Sequence, residues 1–317
     1  MGKIIIRRLL QSIPVFIGIT IISFALIHAV PGGPTARLEL DADIRPEDIA
    51  RIRANMGLDK PVWQQYLIWV GNLVRGDLGI SYIDQRPVAK QIRERLPKTI
   101  LLTGTALLLS IGLALPIGVI AAVKQYSWLD NITTLFSTAG ISLPSFWLGL
   151  MCILIFAVRL KWLPSGGVVT IGQPFSMPDL LKHLIMPAFV LATISMAGWS
   201  RYIRGSMLEV IRQDYVRTAR AKGLRERLVI VRHALRNALI PVATLMGLSI
   251  PNLVGGALIT ETIFSWPGIG RLAWHATTKR DYPIIMGVVV MATVVVILGN
   301  LAADIAYGLL DPRIQTE

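Results

Sequence analysis

An all-α membrane protein of six transmembrane helices is the fold class the sequence predicts, with an extracytoplasmic cap of short helices after the first span. Three observations carry that expectation. Hydrophobic residues make up 53% of the 317-residue chain and charged residues only 16%, where a soluble domain would carry about 25% charged residues. The mean hydropathy is +0.59. The charges are also gathered into blocks, so that residues 9–36, 99–123, 131–158, 183–200, 237–260 and 282–303 contain no Asp, Glu, Lys or Arg. Each run reaches the roughly 18 residues that mark a spanning helix, the fourth being the shortest.

Residues 1–8 form a short cytoplasmic N-terminus carrying Lys3, Arg7 and Arg8, and residues 9–30 form the first span. A secretory signal peptide is the rival reading of this start. It is disfavoured because the apolar run outlasts an h-region and no small-x-small site precedes the break at Pro31-Gly32-Gly33-Pro34. Residues 31–98 are expected to fold as the cap. Pro46-Glu47-Asp48 opens a helix with Ile49, Ile52 and Met56 on one face, and Gly57 stops it. Pro61 opens a second, with Trp63, Tyr66, Leu67, Val70 and Val74 at helical spacing. Pro87 opens a third, with Val88, Ile92 and Leu96 on one stripe before Pro97. Residues 99–317 then supply a five-helix core interrupted by a basic loop over residues 201–237. Glycines and prolines recur inside the runs, among them Pro14, Pro116, Gly140, Pro144, Gly247 and Pro251. Neighbouring helices must satisfy the backbone groups those residues release, which favours a closely packed, kinked bundle.

Charge sets the orientation. Ten Lys/Arg against three acids fall between residues 201 and 236, and three more precede the first span. By the positive-inside rule that loop and both termini are cytoplasmic. Residues 35–98 hold eleven Lys/Arg but also nine acids, over a length beyond the rule's reach, and fall on the outer face. The formal charge of +13 therefore reports topology and contact with anionic lipid, not a nucleic-acid partner.

Catalytic chemistry is missing from the pattern. There is no Gly-x-x-x-x-Gly-Lys-Ser/Thr loop to cradle phosphates, no His-Glu-x-x-His and no Gly-x-Ser-x-Gly elbow. The four histidines are scattered and Cys152 is the single cysteine, so neither a metal site nor an intrachain disulfide is expected. No catalytic residue, metal ligand or cofactor is assigned to this chain. Only His28 and Asp304 approach membrane depth, both near span ends, whereas an ion-coupled secondary transporter usually keeps ionisable groups there. That transporter is the alternative from another class. A purely structural scaffold is disfavoured by the proline-interrupted spans.

The basic loop is the informative part. Residues 215–222 read as a short helix whose Thr218, Ala219 and Ala221 keep its surface small, and Gly223 ends it. The next piece sets Leu224, Leu228, Val231 and Leu235 on one stripe with Arg225, Arg232 and Arg236 opposite. The small-surfaced helix suits a partner's groove and the amphipathic one suits an anionic leaflet. A basic interfacial helix that only fixes topology is the plainer reading.

The segment resembles the coupling loop of ABC importer permeases, whose general pattern is Glu-Ala-Ala, three residues, then Gly. Here Arg217-Thr218-Ala219 stands where Glu-Ala-Ala would, followed by Arg220-Ala221-Lys222-Gly223. Arg replaces Glu, and Leu235-Arg236 stands in place of the usual downstream Leu-Pro, with Pro241 later. These departures resemble the dipeptide/oligopeptide/nickel branch, as do "RTARAKGL", "RHALRNALIP", "ETIFSWPGIG" with "RDYP", and the terminal "LLDPRI".

The resemblance implies a bacterial inner-membrane permease subunit of an ATP-driven importer. It would work with a second homologous permease subunit, two cytoplasmic ATPase subunits that bind ATP-Mg, and an external solute-binding protein. Tyr215, Arg217, Thr218, Ala219, Ala221, Lys222 and Gly223 would couple the chain to the ATPases. Glu261, Trp266, Pro267, Gly268 and Asp281 would be binding-protein or gate contacts. Dipeptides or oligopeptides are the first choice of solute, with nickel or glutathione as alternatives in the same branch. Single cysteines at Asp84 and Arg225, probed with an impermeant thiol reagent on intact cells, should label only at Asp84. Labelling at Arg225 alone would invert the topology.

Overall fold

The computed structural model describes residues 2–35, 45–240, 242 and 257–310. Its helices are Gly2–Ala29 (α1), Pro46–Asn55 (α2), Val62–Val74 (α3), Val88–Val123 (α4), Trp128–Ser142 (α5), Ser145–Cys152 (α6), Met177–Ile211 (α7), Asp214–Ala221 (α8), Glu226–Leu228 (α9), Leu258–Ile263 (α10), Ile269–Lys279 (α11) and Tyr282–Leu310 (α12). α6 and α9 continue as π-helical turns over Ile153–Arg159 and Val229–Leu235. Ile6–Ala29, Val88–Val123, Met177–Ile211 and Tyr282–Leu301 are each long and apolar enough to cross a membrane. Trp128–Gly140 and Ser145–Arg159 make a fifth if taken as one span bent by 99°. The expected fifth run, 237–260, and the side chain of Asp304 fall largely or wholly outside the described residues.

The bend has a local cause. Leu143 precedes Pro144 and takes an extended conformation (φ −78°, ψ 125°), as the proline ring requires of its neighbour, so α5 stops and α6 restarts at Ser145. Pro97 behaves differently. The sequence suggests a third cap helix ending before it, but α4 runs through it from Val88 to Val123. A proline deletes one N–H, and the carbonyl it frees belongs to Arg93, in an exposed stretch of the helix.

The chain divides into two compact units, Met1–Lys98 with Gly268–Glu317, and Thr99–Pro267. In the first, α1 packs on α12 and α3, and α11 packs on α12. Val88, Ile92, Ile269, Leu272, Ala276 and Ile284 form its buried apolar cluster. Gly287 leaves room for Val88, whose Cγ1 would lie 2.4 Å from any added Cβ. Thr20 shares a 3.0 Å hydrogen bond with the Tyr66 hydroxyl, and the His28 ring stacks on Phe24 at 4.2 Å between centroids. The corner between α11 and α12 ties remote segments together. Arg280 adopts a left-handed conformation (φ 56°), and its guanidinium donates to the carbonyls of Pro31 and Gly33. Asp281, 3% exposed, accepts from the Ser81 hydroxyl and the Tyr82 N–H. Tyr282 donates its hydroxyl to the Ile27 carbonyl.

In the second unit, small residues bring helices close, as is usual inside membranes. Gly118 of α4 faces α7 so tightly that an added Cβ would sit 2.7 Å from the Ser200 carbonyl oxygen and 2.9 Å from Ile203. A Cβ added to Gly140 of α5 would meet Ala197 at 3.4 Å, an ordinary contact. The Ser137 and Ser200 hydroxyls bond at 2.9 Å, and Arg204 holds Asp130 through two bonds of 2.7 and 2.8 Å. Residues 160–176 form no helix but are fastened. Thr170 donates through its N–H and its hydroxyl to Asp179, and His183 Nδ1 donates to the Gly166 carbonyl. The Gly167 N–H donates to the Phe264 carbonyl at 2.8 Å, and a Cβ on Gly166 would lie only 2.3 Å from that same oxygen.

Gly118→Ala should cost on the order of 1–3 kcal/mol through overpacking against backbone. Gly112→Ala, which meets nothing within 4 Å among the described residues, should cost far less. Thermal unfolding of the two variants in detergent, compared with wild type, checks this. A second test concerns Tyr82, whose phenol is pushed up to about 12 by burial first and then by Asp281 and Tyr282. Its folded value lies above the unfolded one of about 10, so the stability held by the neutral phenol is complete below pH 10. That contribution is lost as pH rises through 12. Difference absorbance titration of wild type against Tyr82→Phe should show one tyrosine ionising about two units late.

Candidate functional site

The turn after α7 releases the chain into α8 with Gln213 extended (φ −71°, ψ 150°) and Asp214 in the first turn, where a negative charge suits the helix N-terminus. α8 has two faces. Val216, fully buried, and Ala219, 5% exposed, enter a core with Ala114 and Ala122 of α4, Ile203 and Met207 of α7, and Val229, Ala234 and Ala238 downstream. Tyr215, Arg217, Thr218, Ala221 and Lys222 are exposed on the other side. Gly223 has φ +73°, a conformation open to glycine and strained for a β-branched residue, so α8 ends where the sequence places its stop.

Polar contacts stiffen this element. Thr218 donates its hydroxyl to the Asp214 carbonyl, and Asn237 Nδ2 donates to the Tyr215 hydroxyl at 2.9 Å. Across the Gly223 turn, Arg220 holds Glu226 through its Nε and Nη2, the shortest bond being 2.7 Å. That pairing pushes the Glu226 carboxyl below the usual carboxylate range and the Arg220 guanidinium up. Both side chains are substantially solvated, so the clamp orders the turn more than it stabilises the fold. Leu224, Leu228 and Val231 of the expected apolar stripe are exposed, 38–54%. Val229 and Ala234 face the core instead.

The resemblance assigns coupling to seven residues, Tyr215, Arg217, Thr218, Ala219, Ala221, Lys222 and Gly223, of which Thr218, Ala219 and Ala221 are the small ones. The structure gathers them on one helix and its stop, with one correction. Ala219 is turned into the chain's own core, so the presented face consists of the other six. Val216 and Ala219, three apart, carry the signal for this inward face, and reading 218, 219 and 221 together as one small surface obscures it.

The second candidate group is mostly internal. Glu261 is fully buried and accepts from the Thr99 hydroxyl at 2.9 Å. Trp266, also fully buried, packs with Leu102, Leu184 and Ala188, and its backbone N–H donates to the Glu261 backbone carbonyl. Pro267 is half-buried in the same unit. Gly268, the extended N-cap of α11, and Asp281, bonded to Ser81 and Tyr82, belong to the other unit. The structure thus joins Glu261 to Trp266, while Gly268 and Asp281 serve the two ends of α11. Unsuspected from sequence were the Asp130–Arg204 pair and the Thr170–Asp179–His183 set, whose partners are distant or lie in an irregular loop.

Comparison with known proteins places this geometry. Residues 114–316 match the family described as binding-protein-dependent transport system inner membrane component, and residues 1–103 match the N-terminal part of that membrane component. The oligopeptide transport system permease protein AppB of Bacillus subtilis (strain 168) is 46% identical, over 99% of this chain and 100% of its own length. The dipeptide transport system permease protein DppB of Escherichia coli (strain K12) is 41% identical over 99% of each chain. The di/tripeptide transport system permease protein DppB of Pseudomonas aeruginosa (strain UCBPP-PA14) is 43% identical over 99% of each. In structure, a chain of the inward-facing MetNI methionine ABC transporter aligns with a TM-score of 0.54 at 15% identity, over 70% of this chain and 97% of that one. The fold is therefore that of an ABC transporter permease, and this chain belongs to the family of binding-protein-dependent transport system inner membrane components.

Proposed function

We propose that this chain is one of two similar permease subunits in an ATP-driven importer of short peptides. The observation that carries the reading is the division of α8 into an exposed polar face and a face locked into the core of its own unit. Relatives at 41–46% identity over their full length are named as dipeptide or oligopeptide permeases, which supports the choice of solute. On this reading ATP-Mg is bound and hydrolysed by two cytoplasmic partner subunits, and an external binding protein delivers the peptide. The inner bacterial membrane holds the chain with both termini inside, following the basic excess of the short loops. Glu261, Trp266, Pro267, Gly268 and Asp281 then act by supporting the outer gate or binding-protein surface, because four of these five are buried and Pro267 is only half-buried.

The mechanical logic follows from stiffness. A helix that transmits force must not yield before its neighbours move. Val216 and Ala219 fix α8 to α4 and α7, while the Arg220–Glu226 clamp and the Asn237–Tyr215 bond fix its end and flank. Closure of the ATPases around the exposed face would then displace α4 and α7 with it, which opens or collapses the pathway in alternation.

Bulk on the exposed face separates docking from folding. Ala221→Trp should insert at wild-type abundance yet lose both co-purifying ATPase subunits and peptide uptake. Gly223→Val should do likewise by straining the turn. Ala219→Trp should lower abundance itself, since the side chain would enter the core. Tyr215→Ala should weaken ATPase association by on the order of 2 kcal/mol if Tyr215 is an interface anchor. Arg227→Gln, a solvated rim charge, should change little. Wild-type ATPase association and uptake in Ala221→Trp and Gly223→Val would reduce the loop to a topological anchor.

A further inference from the structure

A polar cavity of about 230 Å³ opens in the Thr99–Pro267 unit, where α4, α5 and α7 meet. α5 supplies Thr133, Thr134 and Ser137 to its lining, and α7 supplies Ser200, Arg201 and Arg204. α4 adds only apolar groups, among them the buried Ala121. Part of the polar capacity is used internally. Ser137 and Ser200 bond to each other, and Thr133 donates its hydroxyl to the Asp130 backbone carbonyl. Arg204 gives its Nε and Nη2 to the Asp130 carboxylate. What remains is a set of donors. Arg201 is exposed and has no hydrogen-bond or ion-pair partner among the described residues. Arg204 keeps its Nη1 and Thr134 its hydroxyl. The Asp130 carboxylate is already held by Arg204 and by the Tyr126 N–H. The lining therefore carries one uncompensated positive charge and offers no open carboxylate to an ammonium group.

The surroundings say what brings the anion. The same Asp130 carboxylate fastens the turn between α4 and α5, and that turn exposes most of Tyr126 and Trp128. Tyrosine and tryptophan collect at the membrane–water boundary, the level at which lipid headgroups lie. α5 also exposes Leu135 and Phe136, an apolar surface suited to an acyl chain. Arg201 opens the basic loop over residues 201–236, which the charge bias puts on the cytoplasmic side. A basic pocket between spanning helices on that side suits an anionic headgroup.

We propose that this cavity binds the phosphate of an anionic phospholipid from the inner leaflet. The phosphate oxygens accept from Arg201, from Nη1 of Arg204 and from the Thr134 hydroxyl, and the acyl chains lie along α5. Guanidinium–phosphate bonds are charge-assisted and about twice as strong as neutral ones. A zwitterionic headgroup would bring an ammonium that Arg201 repels. The bound headgroup braces α5 against α7, since its donors come from both helices. The site needs the chain embedded with its basic loop inside, and is independent of the solute and of docking at α8.

The test uses the full chain with whatever subunits co-purify, delipidated in mild detergent. Native mass spectrometry reads the retention of phosphatidylglycerol against phosphatidylethanolamine of the same acyl chains. Wild type should hold phosphatidylglycerol about tenfold more strongly, the difference expected for one charged hydrogen-bonding partner. Arg201→Gln should bring the two lipids to equal retention. Thr134→Val, at an exposed position and of similar shape, should lower phosphatidylglycerol retention several-fold. Arg227→Gln, exposed on the same basic loop but outside the cavity, should leave the preference intact. Equal retention of both lipids by wild type overturns the site, as does an unchanged preference in Arg201→Gln or unchanged retention in Thr134→Val. Equal losses in Arg201→Gln and Arg227→Gln also overturn it, leaving only diffuse attraction between the loop and anionic lipid. Inorganic phosphate, at an ionic strength matched with chloride, should not displace the retained lipid. Displacement would assign the cavity to a soluble anion and overturn the lipid assignment.

Discussion

A chain inside lipid has no water to complete its hydrogen bonds, so every interruption of a helix must be answered by another protein group. That constraint explains much of what is irregular here. At the Pro144 corner the Leu143 N–H donates back to the Ala139 carbonyl and the Leu148 N–H to the Pro144 carbonyl, so α5 and α6 each close their own terminal turn. The loop over residues 160–176 is held by Asp179, His183 and the Phe264 carbonyl rather than by regular structure. Polar side chains on the spans follow the same rule. Ser137 finds Ser200, Asp130 finds Arg204, and Thr20 finds Tyr66, each partner lying on a different helix. In the Asp130–Arg204 pair the carboxylate is the buried partner and the guanidinium is 28% exposed, so removing Arg204 would cost more than removing Asp130, by leaving a buried charge unpaired.

The coupling loop meets a different requirement, to be rigid and reachable at once. α8 is only eight residues long, too short to be stable alone in water. Its order comes from tertiary packing at Val216 and Ala219, which leaves the opposite face free to be polar and small. The π-helical turn that follows is a second adaptation. It widens the helix so that Val229 and Ala234 both reach the core while Val231 and Arg232 remain outside.

Local features were legible in the sequence and remote pairings were not. Charge-free runs coincide with α1, α4, α7 and α12, the four described helices long and apolar enough to cross a membrane, because burial in lipid excludes charge residue by residue. Gly57 and Gly223 marked helix ends because a positive φ is a property of one residue, and both do adopt it. Pro97 misled for the same reason, since its local effect was outweighed by the apolar run that continues α4. Asp281 reads as a contact residue until its partners are known, and those lie 199 and 200 positions earlier. Glu261 is similar, with Thr99 at a separation of 162. No periodicity or motif encodes such pairs. Ala219 is legible locally, because its spacing of three from Val216 describes a buried stripe, whereas its small size alone suits either face of the helix.

The fastening of residues 166 and 167 to Phe264 runs from main chain to main chain. An attachment of that kind is indifferent to side-chain identity at Phe264 and at most of the loop. Substitutions could therefore accumulate at the exposed positions 169, 171 and 173–175 and reshape the loop's outer surface for a different neighbour, while the Thr170 side chain keeps its tie to Asp179. The glycines are the exceptions, Gly166 because even a methyl group would collide with the carbonyl it lies against, and Gly167 and Gly172 because their φ values of +85° and +83° strain other residues. These three glycines thus absorb the backbone restriction, and the freedom to diversify is passed to the exposed residues around them.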